Sequence, residues 1–282
     1  MSFFSRLSAG WSMGMASLKV IRKNKQLVLF PIISGIALIL VLASFLGLIL
    51  IGKGTDFGGM IEESGPADYA ITFLYYLVCY FVIVFFNVGL VHCTRIYLNG
   101  GSPSFSDGVK YSMGRLPVIM GWAVLSATVG LILKAIEENG GAVGSIISSI
   151  VGVAWSIVTF FVVPVLAYEN IGPLQAVKRS GSIMKEKWGE SLGAAFSFGI
   201  LTFIGILIIA LPIGIIFSLI NPIVGIVMGV LAAFIIQSIV SAAEMVFIAS
   251  VYHQVVEDKP VDEFGSVELD ELFAKKEKKG LF

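Results

Sequence analysis

The sequence predicts an all-α membrane protein: six transmembrane helices as three hairpins, each preceded by a basic amphipathic interfacial helix. Three observations lead there. Apolar residues make up 57% of the 282-residue chain and charged residues 13%, against roughly 45–50% and about 25% in soluble domains. The apolar residues gather in six runs, about 27–51, 69–91, 117–134, 143–168, 190–219 and 223–252. Each is near or above the roughly 18 residues that can cross a bilayer. Cations, finally, crowd onto alternate connections between the runs. Arg6, Lys19, Arg22, Lys23 and Lys25 precede the first, Arg95, Lys110 and Arg115 follow the second, and Lys178, Arg179, Lys185 and Lys187 follow the fourth. The intervening connections hold only Lys53 and Lys134, two cations against twelve. Lys and Arg mark the cytoplasmic side, so both termini are expected there.

Residues 1–26 read as a cytoplasmic amphipathic helix, with Phe4, Leu7, Trp11 and Leu18 on one side and a basic cluster at its end. The run that follows is too long for a signal peptide and is read as a retained span. Cys79 and Cys93 fall on the second span. At about 1.5 Å per residue they are roughly 20 Å apart, too far for a disulfide between them. Before the third span, "SPSFSDGVKYSMGRLP" has a Ser/Asp helix start and Arg115 at the membrane entry. The loop "EENGGA" then leads to the fourth span, where Gly144, Ser148, Gly152 and Ser156 recur every four residues. Gly225, Gly229 and Ala233 repeat that spacing in the sixth. Small residues so placed let helix backbones approach closely where apolar side chains gain nothing over lipid. Pro164 and Pro212 lie inside the fourth and fifth spans, where a missing N–H kinks a helix.

The passage before the fifth span, "ENIGPLQAVKRSGSIMKEKW", is the most informative. Gly172-Pro173 opens a helix, and Leu174, Val177, Gly181, Met184 and Trp188 share one face with Lys178 and Lys185 at its flanks. Such a helix can lie in the interface with its lysines reaching lipid phosphates; the other reading is a connector packed on its neighbours. The candidate contacts for anionic headgroups on the three basic helices are Lys19, Arg22, Lys23, Lys25, Lys110, Arg115, Lys178, Arg179, Lys185, Lys187 and Trp188. Residues 27–256 thus form the six-span bundle. The charged tail 257–282, cytoplasmic in this scheme, ends in "SVELDELFAKKEKK", a capped short helix or a solvated segment through which a protein partner or a second copy could dock.

Glu244 lies inside the last span, with Gln237 and Ser241 on its face. An ionisable residue within a membrane helix is costly and marks a functional-site hypothesis. Arg95, with Asn87 two turns deeper on the second span, is its expected counter-charge. A structural clasp and a proton or solute site are both open at this point. No phosphate-binding loop, H-E-x-x-H or G-x-S-x-G occurs, and no Cys/His set has zinc spacing. No enzyme, cofactor or metal is therefore expected, and a net charge of zero gives no sign of nucleic-acid binding.

"VVPVLAYENIGPLQAVKRSGSIMKEKWGES" resembles the signature of an uncharacterised family of multi-pass prokaryotic integral membrane proteins. The residues carrying the resemblance are Val163, Pro164, Val165, Glu169, Gly172, Pro173, Ala176, Lys178, Arg179, Ser180, Lys185, Trp188, Gly189 and Glu190. The N-terminal "GWSMGMASLKVIRKNKQLVLFPIISG" is similar to the family's start. The resemblance implies a multi-pass protein of the prokaryotic plasma membrane and brings no activity with it. Three function classes follow: a non-enzymatic scaffold or lipid-surface organiser; a transporter or channel for a small solute, ion or lipid using Glu244; and an intramembrane enzyme without a recognisable motif.

Overall fold

The computed structural model describes residues 14–53, 66–187 and 193–257. Among them every regular element is helical. Helix α1 (14–23) leads through a 3-10 turn, Lys25–Val28, into α2 (Leu29–Lys53). Then come α3 (Pro66–Leu98), α4 (Phe105–Gly114), α5 (Leu116–Asn139), α6 (Gly141–Val158), α7 (Val162–Tyr168) and α8 (Pro173–Lys187). Helix α9 (Gly193–Gly205), a π-helical segment Ile206–Ala210, α10 (Leu211–Ser218) and α11 (Pro222–Glu257) complete the described residues. Among the described residues six helical stretches are long and apolar enough to cross a membrane: Lys25–Ile51, Asp68–Leu98, Leu116–Asn139, Gly141–Tyr168, Phe198–Ser218 and Pro222–Val256. The expected faces of Phe4, Leu7 and Trp11, the residues Trp188, Gly189 and Glu190, the segment 54–65 and the tail from 258 lie outside the described residues.

Boundaries shift where local chemistry prolongs a helix. The segment from Lys134 to Asn139, expected as part of a loop, continues α5 and ends at Gly140 and the left-handed Gly141 (φ 53°). Helix α4 starts as its sequence predicts. The Ser104 hydroxyl accepts from the Asp107 N–H (3.2 Å), and the Asp107 carboxylate accepts from the Ser104 N–H (2.9 Å), a reciprocal capping box. Bonds from the Ser104 hydroxyl, then its N–H, hold the Asp107 carboxyl below the usual carboxylate range.

Both membrane prolines leave a visible break. Pro164 offers no N–H to Phe160, and the helix interrupts at residues 159–161 between α6 and α7. The Phe161 N–H freed there is taken by the Ser180 hydroxyl of α8 at 3.0 Å. Ahead of Pro212 the chain widens into the π segment, one way a helix absorbs a missing i→i−4 bond.

The packed core lies at one end of the bundle, where the basic helices are. Val84, Val88 and Val91 of α3, Ile119 and Ala123 of α5, and Val165 and Leu166 of α7 are buried there. So are Ala243, Phe247 and Tyr252 of α11. Helix α3 packs most extensively on α5, and α2, α7 and α11 also pack on α3. The interfaces therefore extend across the expected three units. Away from that end, the flanks of α2, α6, α10 and early α11 expose Leu, Ile and Val. In lipid such exposure costs nothing, and contact is governed by backbone approach. The Gly225/Gly229 stripe supplies it. A Cβ on Gly225 would sit 2.6 Å from Ser218, and one on Gly229 would sit 3.3 Å from the Cα of Gly214 across the α10/α11 contact.

All three basic helices bury one face against protein. On α8 the buried residues are Ala176, Ser180, Ile183 and Met184, while Leu174 is 67% exposed. The packed stripe is thus rotated from the expected Leu174–Val177–Gly181–Met184 face toward α5, α6 and α7. Helix α1 buries Ser17, Val20 and Ile21. Helix α4 buries Gly108 and Ser112 against α3 and Phe30. Of the two readings, the packed connector describes these faces. Each such apolar side chain gains about 1.5–3 kcal/mol on leaving water, whether lipid or protein receives it.

Candidate functional site at the basic end of the bundle

A network of tyrosines, arginines and one carboxylate joins the helix ends at the basic side. Glu169 follows α7 directly, placed by the helix stop before Gly172-Pro173. Its Oε1 accepts from the Arg179 Nε on α8 at 2.9 Å and from the Tyr252 hydroxyl on α11 at 2.9 Å. Tyr252 is 1% exposed, so its hydroxyl is buried with that carboxylate as acceptor. One residue before Glu169, Tyr168 donates its hydroxyl to the Val91 carbonyl of α3 at 2.8 Å. The Arg95 guanidinium lies 4.3 Å from the centre of the Tyr168 ring, within cation–π range.

A second aromatic stack continues the network. His92 and Tyr111 lie parallel, 3° apart, with ring centres 3.7 Å apart. Tyr111 donates its hydroxyl to the Ala167 carbonyl, and Arg115 Nη2 donates to Tyr111 at 3.5 Å. The Phe105 N–H donates to Gln26 Oε1 at 3.0 Å, tying the start of α4 to the entrance of α2. The Ser112 hydroxyl donates to the Phe85 carbonyl at 2.7 Å. These bonds bring together the start of α2 and the ends of α3, α7 and α11 with α4 and α8. The chemistry of the arrangement is that of a clasp. Its tyrosine hydroxyls, Arg179 and Glu169 bond one another or backbone carbonyls, while the buried Nδ1 of His92 has no hydrogen-bond partner among the described residues. Among the described residues no group of three metal-binding side chains forms.

The expected pairing of Glu244 with Arg95 does not form. Arg95 is turned to Tyr168, and among the described residues Glu244 makes no hydrogen bond or ion pair. Gln237, expected on an inward polar face with Ser241 and Glu244, is exposed, while Ser241, Glu244 and Asn87 are half-buried. The reason is rotational. Helix α11 turns its small residues Ser238, Ala242 and Ala243 inward, which carries the Gln237–Ser241–Glu244 line to a flank.

The candidate headgroup contacts fall into three groups. Lys19, Arg22, Lys23, Lys25, Lys110, Lys178 and Lys185 are exposed. Arg115 and Arg179 are half-buried and engaged with Tyr111 and Glu169. Lys187 closes α8, and Trp188 lies outside the described residues. The partners that sequence reasoning missed are Tyr111, Tyr168, Tyr252 and His92. Their only local signal is the position of amphipathic rings near helix ends.

The geometry also gives six residues of the stretch from Val163 to Lys187 a structural role. Pro164 breaks the helix, Ser180 caps the freed N–H, Ala176 packs fully buried, and Glu169 and Arg179 close the clasp. Pro173 packs on α5, where a Cβ on Gly121 would fall 2.9 Å from its Cγ. No curated protein matches the chain. A family model does match, over residues 66–261, from the start of α3 past the end of α11. The chain belongs to that family, the family of unknown function DUF6159.

Proposed function

We propose that this protein is a non-enzymatic scaffold or lipid-surface organiser of a prokaryotic plasma membrane. In this reading the basic end and both termini face the cytoplasm, and the exposed cations meet anionic headgroups. The observation that carries it is what remains after packing. Each basic helix commits one face to the bundle, yet Lys19, Arg22, Lys110, Lys178 and Lys185 stay exposed around the same clasped end. Cations concentrated at one end of a bundle favour the cytoplasmic leaflet. Each contributes about 1 kcal/mol near an anionic surface and is screened by salt. Clasped ends hold these charges in a fixed pattern, which suits organising a lipid surface better than a chemical step.

The test is lipid retention by the full chain. Purified from a mixed-lipid membrane, it should carry anionic lipids in excess of their bulk share. A variant with glutamine at Lys19, Arg22, Lys110, Lys178 and Lys185 should lose that excess while melting normally. An excess unchanged by the substitutions rejects the reading.

A second reading, a transporter using Glu244, has one observation in its favour. Glu244 is half-buried within the sixth span without a hydrogen bond or ion pair among the described residues, as a carboxylate awaiting a proton or solute would be.

A further inference from the structure

At the end of the bundle away from the basic helices, α3, α5 and α6 line an open cleft of about 520 Å³. That volume lies within the range of about 300–1,000 Å³ typical of small-molecule sites. Its polar lining comes from Tyr76, Tyr80, Lys134, Glu137, Glu138 and Ser148. Such a concentration of polar groups is out of keeping with the apolar flanks of the same helices. Gly130 makes the space. A Cβ there would lie 3.1 Å from Tyr76 Cδ2 and 3.6 Å from the Tyr80 hydroxyl.

The polar groups fall into two sets. Lys134 is already occupied, 3.5 Å from Glu138 and donating to the Thr72 hydroxyl at 3.3 Å. Glu138 also accepts from the Tyr69 hydroxyl at 3.2 Å. The second set is uncommitted. Among the described residues Glu137 has no ion pair or hydrogen bond, and neither do the hydroxyls of Tyr76, Tyr80 and Ser148. The lining therefore holds one cation already matched by one carboxylate, and a second carboxylate left over.

We propose that this cleft binds an organic ammonium group. Glu137 would supply the counter-charge, the uncommitted hydroxyl oxygens would accept N–H bonds, and the tyrosine rings would add cation–π attraction. An anion would have to displace Glu138 from Lys134 and face the remaining carboxylate. The cleft lies within about two and a half turns of the end of α5 at Asn139, which in a spanning helix is near the headgroup region. Two sources of the same chemistry can reach it: a free amine from the aqueous side, or the headgroup of an aminophospholipid in that leaflet.

The experiment uses the full chain with two probes. Ethanolamine is titrated by calorimetry into protein in maltoside micelles. Retention of phosphatidylethanolamine over phosphatidylglycerol is read by native mass spectrometry from nanodiscs containing both. Binding of either probe should be saturable and fall tenfold or more in Glu137→Gln. That variant should melt normally, because Glu137 is exposed and holds no partner. Tyr80→Phe should weaken binding several-fold. Lys134→Met should tighten it, by freeing Glu138 for the ligand. Ethanolamine binding without retention of phosphatidylethanolamine identifies a soluble amine as the ligand; retention of phosphatidylethanolamine identifies the lipid. Absence of saturable binding by both probes overturns the proposal. So does binding indifferent to Glu137→Gln, or a preference for phosphatidylglycerol that Lys134→Met abolishes.

Discussion

Removing the Glu169 carboxylate tests how the basic end is held together. Glu169→Ala takes away the acceptor shared by Arg179 and Tyr252, each at 2.9 Å. The two partners carry unequal weight. Arg179 is 40% exposed and Glu169 25%, so their ion pair is largely solvated and contributes at most about 1 kcal/mol. Tyr252 is 1% exposed, so its hydroxyl depends far more on this acceptor than the half-exposed arginine does. A buried donor left unsatisfied costs about 1–3 kcal/mol. Together these give about 1–4 kcal/mol for Glu169→Ala. Tyr252→Phe should cost about 1.5 kcal/mol, as the loss of one bond to a charged acceptor that keeps its arginine. Arg179→Gln should cost the least, up to about 1 kcal/mol. The assay is reversible unfolding of the full chain in mixed detergent micelles titrated with SDS. The Glu169→Ala/Tyr252→Phe double variant should lose less than the sum of its singles, by about 1–2 kcal/mol. Additive losses, or Arg179→Gln proving worse than Glu169→Ala, would refute the view that the buried tyrosine dominates the clasp.

Two further outcomes are expected. A Cβ on Gly89 would lie 2.7 Å from Phe30 Cε1 and 3.0 Å from the Gly108 carbonyl carbon and oxygen. Because backbone cannot yield as a side chain can, Gly89→Ala should destabilise by about 1–3 kcal/mol. Gly114→Ala, with nothing within 4 Å of its added carbon, should be neutral or gain up to about 1 kcal/mol from helix propensity; equal effects at the two sites in the SDS titration would contradict the close α3/α4 approach. If the transporter reading holds, Glu244→Gln should leave unfolding unchanged and abolish a pH-dependent flux in proteoliposomes. A normal flux in that variant removes Glu244 from any transport pathway.

Much of the architecture was legible because a membrane span is a local property. Backbone polar groups in lipid must be satisfied within the segment, so length and composition alone identified six helices. The Ser104/Asp107 cap, the breaks at Pro164 and Pro212 and the close approach along Gly225 and Gly229 were likewise written in short stretches. Side-chain partners were not. Tyr168 meets Val91 from 77 positions away and Tyr252 meets Glu169 from 83, distances over which periodicity is silent. Only the rotation of each helix in the bundle decides such pairs. The same rotation turned Arg95 to Tyr168 and left Glu244 without it. Amphipathicity was ambiguous for a further reason: lipid and protein interior are equally apolar to Ile183 or Met184, so the pattern on α8 fixed that a face is buried without fixing against what. The cleft at Glu137 belongs wholly to tertiary structure. Its tyrosines, lysine, carboxylates and serine come from three helices, and "EENGGA" showed nothing of it until α5 was seen to run on to Asn139.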